Sequence, residues 1–360
     1  MAITRLGPNQ DITAAKIAGQ INFKNLIING DMSLAQRGTS STSSDFATVD
    51  RNNILFGTIS ATQSQTTDVP SNYTFNNSFK LNVDTASSAT NANAQIRQII
   101  EAQMIRSSGW NYTSSSSYLT LSFWVKCSLA GTYYAVFRSE DGTQQSISKS
   151  YTINSANTWE KKTITISGNS NITINNDNGR GLTVWFVFIA GTDNSGSSAN
   201  LDSWGTFVSG NYTPDSSDAQ TFLNTTNANI SFTGVQLEVG TTASDFEFLP
   251  YDVNIHRCER YFRIVTSAFG TIVASNAIRF SPSFEEMRST PSVSGTANSL
   301  FTNNSADYGI SSGASYSLFN SDKYGGRLQI SGWSGLSAGG VAQLLPSGTN
   351  AGKVYFDAEL

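Results

Sequence analysis

The chain has one histidine, His256, and any Ser/His/Asp hydrolase built from these 360 residues would have to use it as its base. It sits in a short charged stretch with Asp252, Arg257 and Glu259. No Gly-X-Ser-X-Gly elbow falls on a strand-turn-helix pattern, so His256 is read as a hydrogen-bonding residue at a domain junction. Cys127, Cys258 and His256 lack the spacing of a zinc site. Carboxylate pairs for glycoside cleavage are available as Asp202 with Asp215, Glu238 with Asp245, or Glu285 with Glu286. Spacing along a chain does not supply the separation in space that such a pair needs. No catalytic residue, metal or cofactor is expected.

Non-catalytic sugar binding needs less. An aromatic face stacks on the apolar face of a pyranose, and Asn, Asp or Gln bonds its hydroxyls. Trp110 with Tyr112, Trp204 with Tyr212, and Tyr324 with Trp333 lie in polar loops and are the candidate receptor-binding residues. The competing reading is that each ring plugs its loop against its own sheet, because aromatics are normally well buried. Gly325, Gly326, Gly339 and Gly340 follow no strand-to-helix pattern and fit tight turns better than a phosphate loop. The Asn-X-Ser/Thr triplets at Asn72, Asn111 and Asn211 are what chance produces in a chain this rich in those residues.

The elements that must position these residues read as strands. From Leu26 to about Pro250, short runs rich in β-branched and aromatic residues alternate with Ser/Thr/Asn/Gly clusters, the pattern of an antiparallel sandwich. The strands expected are Leu26 to Asn29, Ala94 to Ile100, Tyr118 to Lys126, Gly131 to Arg138, Ser146 to Ile153, Trp159 to Ile166, Leu182 to Ala190 and Asn229 to Val239. Leu119, Leu121, Phe123 and Val125 alternate with polar positions, so Trp124 faces away from the core. Leu182 to Ala190 is apolar almost throughout, which suggests cover on both faces, preferably by a neighbouring subunit. Asp252 to Phe262 is a helix candidate, as is a short capped stretch from Ala14 to Gly19. After it come strand candidates at Tyr261 to Ser267, Gly270 to Phe280, Pro291 to Gly295, Tyr308 to Ile310, Arg327 to Gly332 and Lys353 to Ala358. The expected architecture is therefore all-β: an arm over residues 1–24, a jelly-roll β-sandwich over 25–251, and a second, smaller β-sandwich over 252–360.

Composition narrows the partners. Charged residues are 13% of the chain and its formal charge is −4, which leaves no basic surface of the kind that neutralises phosphates. Nucleic acid is not an expected partner. No window reaches the ~20 apolar residues of a membrane span, and the first residues carry no apolar core of signal-peptide length. Two cysteines are too few for a disulfide scaffold, and Cys127, in an apolar strand, reads as a buried free thiol.

Asn25 to Gln36 (NLIINGDMSLAQ), followed by Arg37, Gly38 and Thr39 and then Val49, Asp50 and Arg51, resembles the opening of the jelly roll of bacteriophage tail-fibre and related virion proteins. Tyr118 to Thr132 (YLTLSFWVKCSLAGT), Tyr151 to Ile166 (YTINSANTWEKKTITI) and Phe232 to Tyr251 (FTGVQLEVGTTASDFEFLPY) are similar to its central strand, next hairpin and closing strand. Cys258 to Phe262 (CERYF), Met287 to Val293 and the final Asp-Ala-Glu-Leu resemble their terminal domain. The resemblance implies a homotrimer on a phage tail appendage, docked by its arm to a tail adaptor or nozzle and facing a host surface glycan with its terminal domain. The same motifs look like carbohydrate-binding modules, which often hold calcium beside the NGD turn. Here Met32 and Ser33 follow that turn, leaving Asp31 and Asp50 as the available ligands. A capsid fibre or decoration protein is the alternative. A glycan-degrading tailspike is a third reading, although the long β-helix repeat usual in such enzymes is absent from the sequence.

Overall fold

The computed structural model describes residues 23–71, 73–197, 199–214, 221–296, 299–302, 307–309, 314–344 and 353–360. The arm lies outside the described residues except for Phe23 and Lys24, and the helix expected from Ala14 to Gly19 lies outside them altogether.

In the first part the strands are β1 (Ser40–Ser41), β2 (Asn53–Gly57), β3 (Ser60–Thr66), β4 (Ser78–Thr85) and β5 (Asn93–Glu101), then the helix α1 (Ala102–Ser107), β6 (Tyr118–Cys127), β7 (Gly131–Ser139), β8 (Gln145–Ile153), β9 (Glu160–Ser167), β10 (Arg180–Ala190), β11 (Gly205–Thr206) and β12 (Asn229–Val239). They pair as two six-stranded sheets, β1-β3-β4-β12-β6-β9 and β11-β8-β7-β10-β5-β2. The chain crosses repeatedly from one sheet to the other, as in a jelly roll. Alternation on β6 sends Leu119, Leu121, Phe123 and Val125 into the space between the sheets, where they meet Phe186, Phe232 and Ile230. Trp124 points outward, as its place in the alternation requires.

Two expectations are corrected. Leu26 to Asn29 is not a strand. It runs beside β12, joined to it by backbone bonds only from the Leu26 amide to the Leu237 carbonyl and from the Val235 amide to the Gly30 carbonyl, and side chains supply the rest. Asn25 Oδ1 accepts from the Ile27 and Leu237 amides while its Nδ2 donates to the Val235 carbonyl. Asn29, at φ 59°, clasps Leu34 and Asp50 with its amide. Gly30 lies so close to β12 that an added Cβ would sit 2.1 Å from the Val235 carbonyl oxygen. Gly30→Ala is therefore expected to destabilise the chain by about 2 kcal/mol or more, read as a lower urea midpoint.

The second correction concerns β10. Leu182, Val184, Phe186 and Phe188 face the core, and the opposite face, Trp185 and Val187, is covered by the chain's own Phe207 and Tyr212. That cover comes from the excursion 199–213, not from a neighbouring subunit.

The second part opens with α2 (Tyr251–Glu259), preceded by extended Pro250. It continues with β13 (Phe262–Val265), β14 (Ala268–Ala274), β15 (Ala277–Phe280), β16 (Ser292–Gly295), β17 (Ser299–Thr302), β18 (Asp307–Gly309), β19 (Ser315–Asp322), β20 (Gly325–Ser331), β21 (Val341–Leu344) and β22 (Val354–Asp357). A three-stranded sheet, β13-β22-β16, faces a seven-stranded one, β18-β17-β21-β14-β15-β20-β19. Val354 and Phe356 from the first pack with Ile272, Ile278, Leu328 and Ile330 from the second. The protein is all-β, two sandwiches in series. A separate cluster of Ile28, Leu34, Cys258 and Tyr261 lies between the two cores. Both cysteines are buried free thiols.

Candidate functional site

The six aromatic candidates divide by burial. Trp333 is 3% exposed, belongs to the second core, and donates its indole N–H to the Ile330 carbonyl. It offers no ring face to a ligand, so it does not pair with Tyr324 at a surface. Trp110 is 4% exposed and donates to the Ser117 carbonyl at 3.3 Å. For these two the loop-plugging reading holds. Trp204 is half-buried against the first core, with its indole held 2.7 Å from the Ser167 carbonyl. Tyr212 stacks on Phe207 and turns an edge to Trp185, so it serves as a lid over β10. Tyr112 is half-buried and its hydroxyl accepts from Arg106. Tyr324 is exposed, and its hydroxyl donates to Glu286 at 3.1 Å.

An aromatic surface that loop composition did not reveal lies on the outer face of the first sheet. Trp124 projects from β6 and meets Tyr73 with ring centroids 4.6 Å apart. Tyr73 is exposed and stacks at 6.2 Å on buried Phe75, which Phe246 and exposed Phe248 bracket at 5.2 and 5.1 Å. The loops before β4 and after β12 bring these rings together. β12 makes room with a bulge between Thr233 and Gln236, where Gly234 at φ 60° leaves space for the Phe75 ring. Polar groups edge the surface. Trp159 donates its indole N–H to Asp68 at 3.1 Å, Lys126 forms an ion pair with the same carboxylate, and its ammonium lies 5.9 Å from the Trp159 ring. Partial burial would push the Asp68 carboxyl up, but the hydrogen bonds from Lys126 and Trp159 hold it below its ordinary value. Open rings beside a fixed carboxylate and ammonium can stack a sugar and bond its hydroxyls. The legible signal was the outward placing of Trp124; Tyr73 and Phe248 carried none.

The residues weighed for chemistry are engaged elsewhere. His256, on α2, is half-exposed with Nδ1 3.6 Å from both the Glu259 and Glu285 carboxylates. Asp202 pairs with Lys149 at 2.8 Å, and Asp215 lies outside the described residues. Glu238 accepts from Gln236 and from the Ser244 amide and hydroxyl, fixing the loop after β12. Glu286 bonds Lys323 and Tyr324. Asp31 accepts from the Ser33 hydroxyl, and Asp50 from the Gln36 amide and side chain. Burial raises the Asp50 carboxyl above its ordinary value despite those bonds. Among the described residues no cluster of His, Cys, Asp and Glu is arranged to hold a metal, and no helix is long and apolar enough to cross a membrane.

No family model and no curated protein matches the chain. Among solved structures it is similar to the enzymatically active domain of tailspike protein 4 of bacteriophage CBA120, at 16% identity and a TM-score of 0.33, over 60% of this chain and 22% of that one. It is also similar to a family 11 carbohydrate-binding module from Clostridium thermocellum in complex with a β-1,3-1,4-mixed-linked tetrasaccharide, at 10% identity and a TM-score of 0.31, over 57% of this chain and 98% of that one. A xylan-binding domain from Paenibacillus barcinonensis matches at 9% identity and a TM-score of 0.27, over 57% of this chain and 94% of that one. At these scores the likenesses assign no activity, ligand or partner to the chain.

Proposed function

We propose that the chain is a structural protein of a bacteriophage particle, of tail-fibre type, that holds the particle to the host surface by multivalent, non-catalytic binding of glycan. The observation that carries the binding reading is the open ring surface of Tyr73, Trp124 and Phe248 edged by Trp159, Lys126 and Asp68. The phage reading rests on the ordered resemblance of segments from Asn25 to Leu360. In this reading residues 1–24 dock to a tail adaptor or nozzle, and three copies of the chain present their sites together. Weak sites repeated on one appendage gain avidity through effective concentration, with no reaction on the receptor.

Electron microscopy of particles with a labelled antibody against residues 255–360 tests the location. Label at the distal ends of tail appendages is expected. Label over the head surface would instead favour a capsid fibre or decoration. For the binding surface, Tyr73→Ala and Trp159→Ala are each expected to weaken binding of the purified protein to host cells by about tenfold. Tyr73 is exposed, so its replacement should leave the unfolding free energy within about 0.5 kcal/mol of the parent's. Unchanged adhesion in both variants would remove this surface from the reading.

A further inference from the structure

The other sheet holds a hollow of different chemistry. Cross-strand pairing places Asn53 opposite Arg97 and Arg97 opposite Trp185, and the Arg97 guanidinium lies 4.5 Å from the Trp185 ring centroid. Beside it opens a cavity of about 470 Å³, lined by Asp45, Phe46, Asn53, Arg97, Arg180 and Glu359 among others. Its acidic side chains are already engaged: Asp45 accepts from Asn53, Glu359 forms ion pairs with Arg51 and Arg37, and Asp357, which also lines the cavity, pairs with Arg37 at 2.9 Å. Among the described residues neither of its arginines has a carboxylate partner. Neighbouring Arg138 has Glu140 at 2.7 Å, whereas among the described residues Arg97 bonds only the Gln95 side chain and Arg180 has no carboxylate partner. Burial, and then repulsion by Arg138 and Arg180, lowers the Arg97 pKa to about 10. A half-buried cation held among like charges is stabilised by any anion that enters.

We propose that this hollow binds an acidic saccharide, a uronate or sialate unit whose carboxylate meets Arg97 and Arg180 while its ring lies against Phe46. Guanidinium groups bind carboxylates through paired, charge-assisted hydrogen bonds, and the cavity falls within the size range of small-ligand sites. A bare inorganic anion would leave most of that volume and the Phe46 face unused. The hollow lies on the sheet opposite the aromatic surface, so the two sites stand or fall separately.

Titration calorimetry of the full chain at low salt, with trigalacturonate and sialyllactose as probes and galactotriose and lactose as their uncharged counterparts, decides the matter. The expected result is that at least one acidic probe binds, that its counterpart binds at least about tenfold more weakly, and that added salt weakens the binding. Arg180→Gln, at an exposed position, and Arg97→Gln should each weaken it about tenfold or more, while Tyr73→Ala should not. Equal binding of charged and uncharged probes, unchanged binding in both arginine variants, or no binding of either acidic probe at millimolar concentration would overturn the proposal. Displacement of the bound sugar by equimolar inorganic phosphate would reduce the site to one for simple anions and overturn the saccharide assignment.

Discussion

Replacing Arg51 with methionine is expected to destabilise the folded chain by about 3–5 kcal/mol, because it leaves a buried carboxylate without its main partner. Arg51 is 2% exposed and follows Asp50 in the first sandwich, yet its partners span the junction. It donates to the Ile99 carbonyl at 2.6 Å, forms an ion pair with Glu359, and lies 3.5 Å over the Tyr261 ring. Without it Glu359 keeps Arg37, which faces it at 3.3 Å as an ion pair without hydrogen-bond alignment. Burial already pushes the Glu359 carboxyl above its ordinary value, against the pull of Arg51 and then Arg37. Loss of Arg51 should push it further. Arg51→Met combined with Glu359→Leu removes both charges and should recover much of the loss. Urea midpoints of the two single variants and the double variant give the coupling directly. A double variant no more stable than Arg51→Met would mean that Arg51 acts through packing on Tyr261 and not through its charge.

Periodicity made the inner strands legible. β12 runs from Asn229 to Val239 as expected, and β6 to β9 differ from expectation by a residue or so at their ends, because each carries β-branched and aromatic residues that largely alternate with polar ones. Strands β1 to β4 were not legible. β3 reads SATQSQT and buries Gln63 completely, satisfying its amide from Thr48 and from the Ser43 carbonyl. A buried glutamine with side-chain partners looks, in sequence, like loop. Helix α1 was missed for want of length, since six residues give no periodic signal. The sites were hidden for a different reason. Whether a tryptophan in a polar loop is open or plugged depends on the path of that loop. Trp110 and Trp333 turned inward, while Tyr73 gained a neighbour in Trp124 from a strand fifty residues on. The arginine hollow depends on which cations lack a carboxylate, and composition shows only that both signs are present.

Glu101 should give the junction a measurable response to acid. Its side chain is fully buried at the end of β5 and accepts from Arg260 at 2.7 and 2.9 Å, from the Tyr261 hydroxyl, and from Gln103 at 2.5 Å. Burial alone would raise its pKa, but the hydrogen bonds from Arg260 and Tyr261 outweigh it and hold the carboxyl below its ordinary value. The unfolded chain therefore takes up a proton at a pH where the folded chain does not. The stabilisation is fully present above the unfolded value and is lost as pH falls through it towards the folded one. Asp50 and Glu359 are raised and act in the opposite sense, weakening the fold as pH rises past their ordinary values. Glu101→Gln is thus expected to destabilise the chain by about 2–4 kcal/mol at neutral pH, and the deficit should shrink steadily on acidification below about pH 5. Urea midpoints of parent and variant across that range provide the check. Parallel curves would show that the proton is taken up at another carboxylate, whereas convergence would place the acid-labile contact of the junction at Glu101, Arg260 and Tyr261.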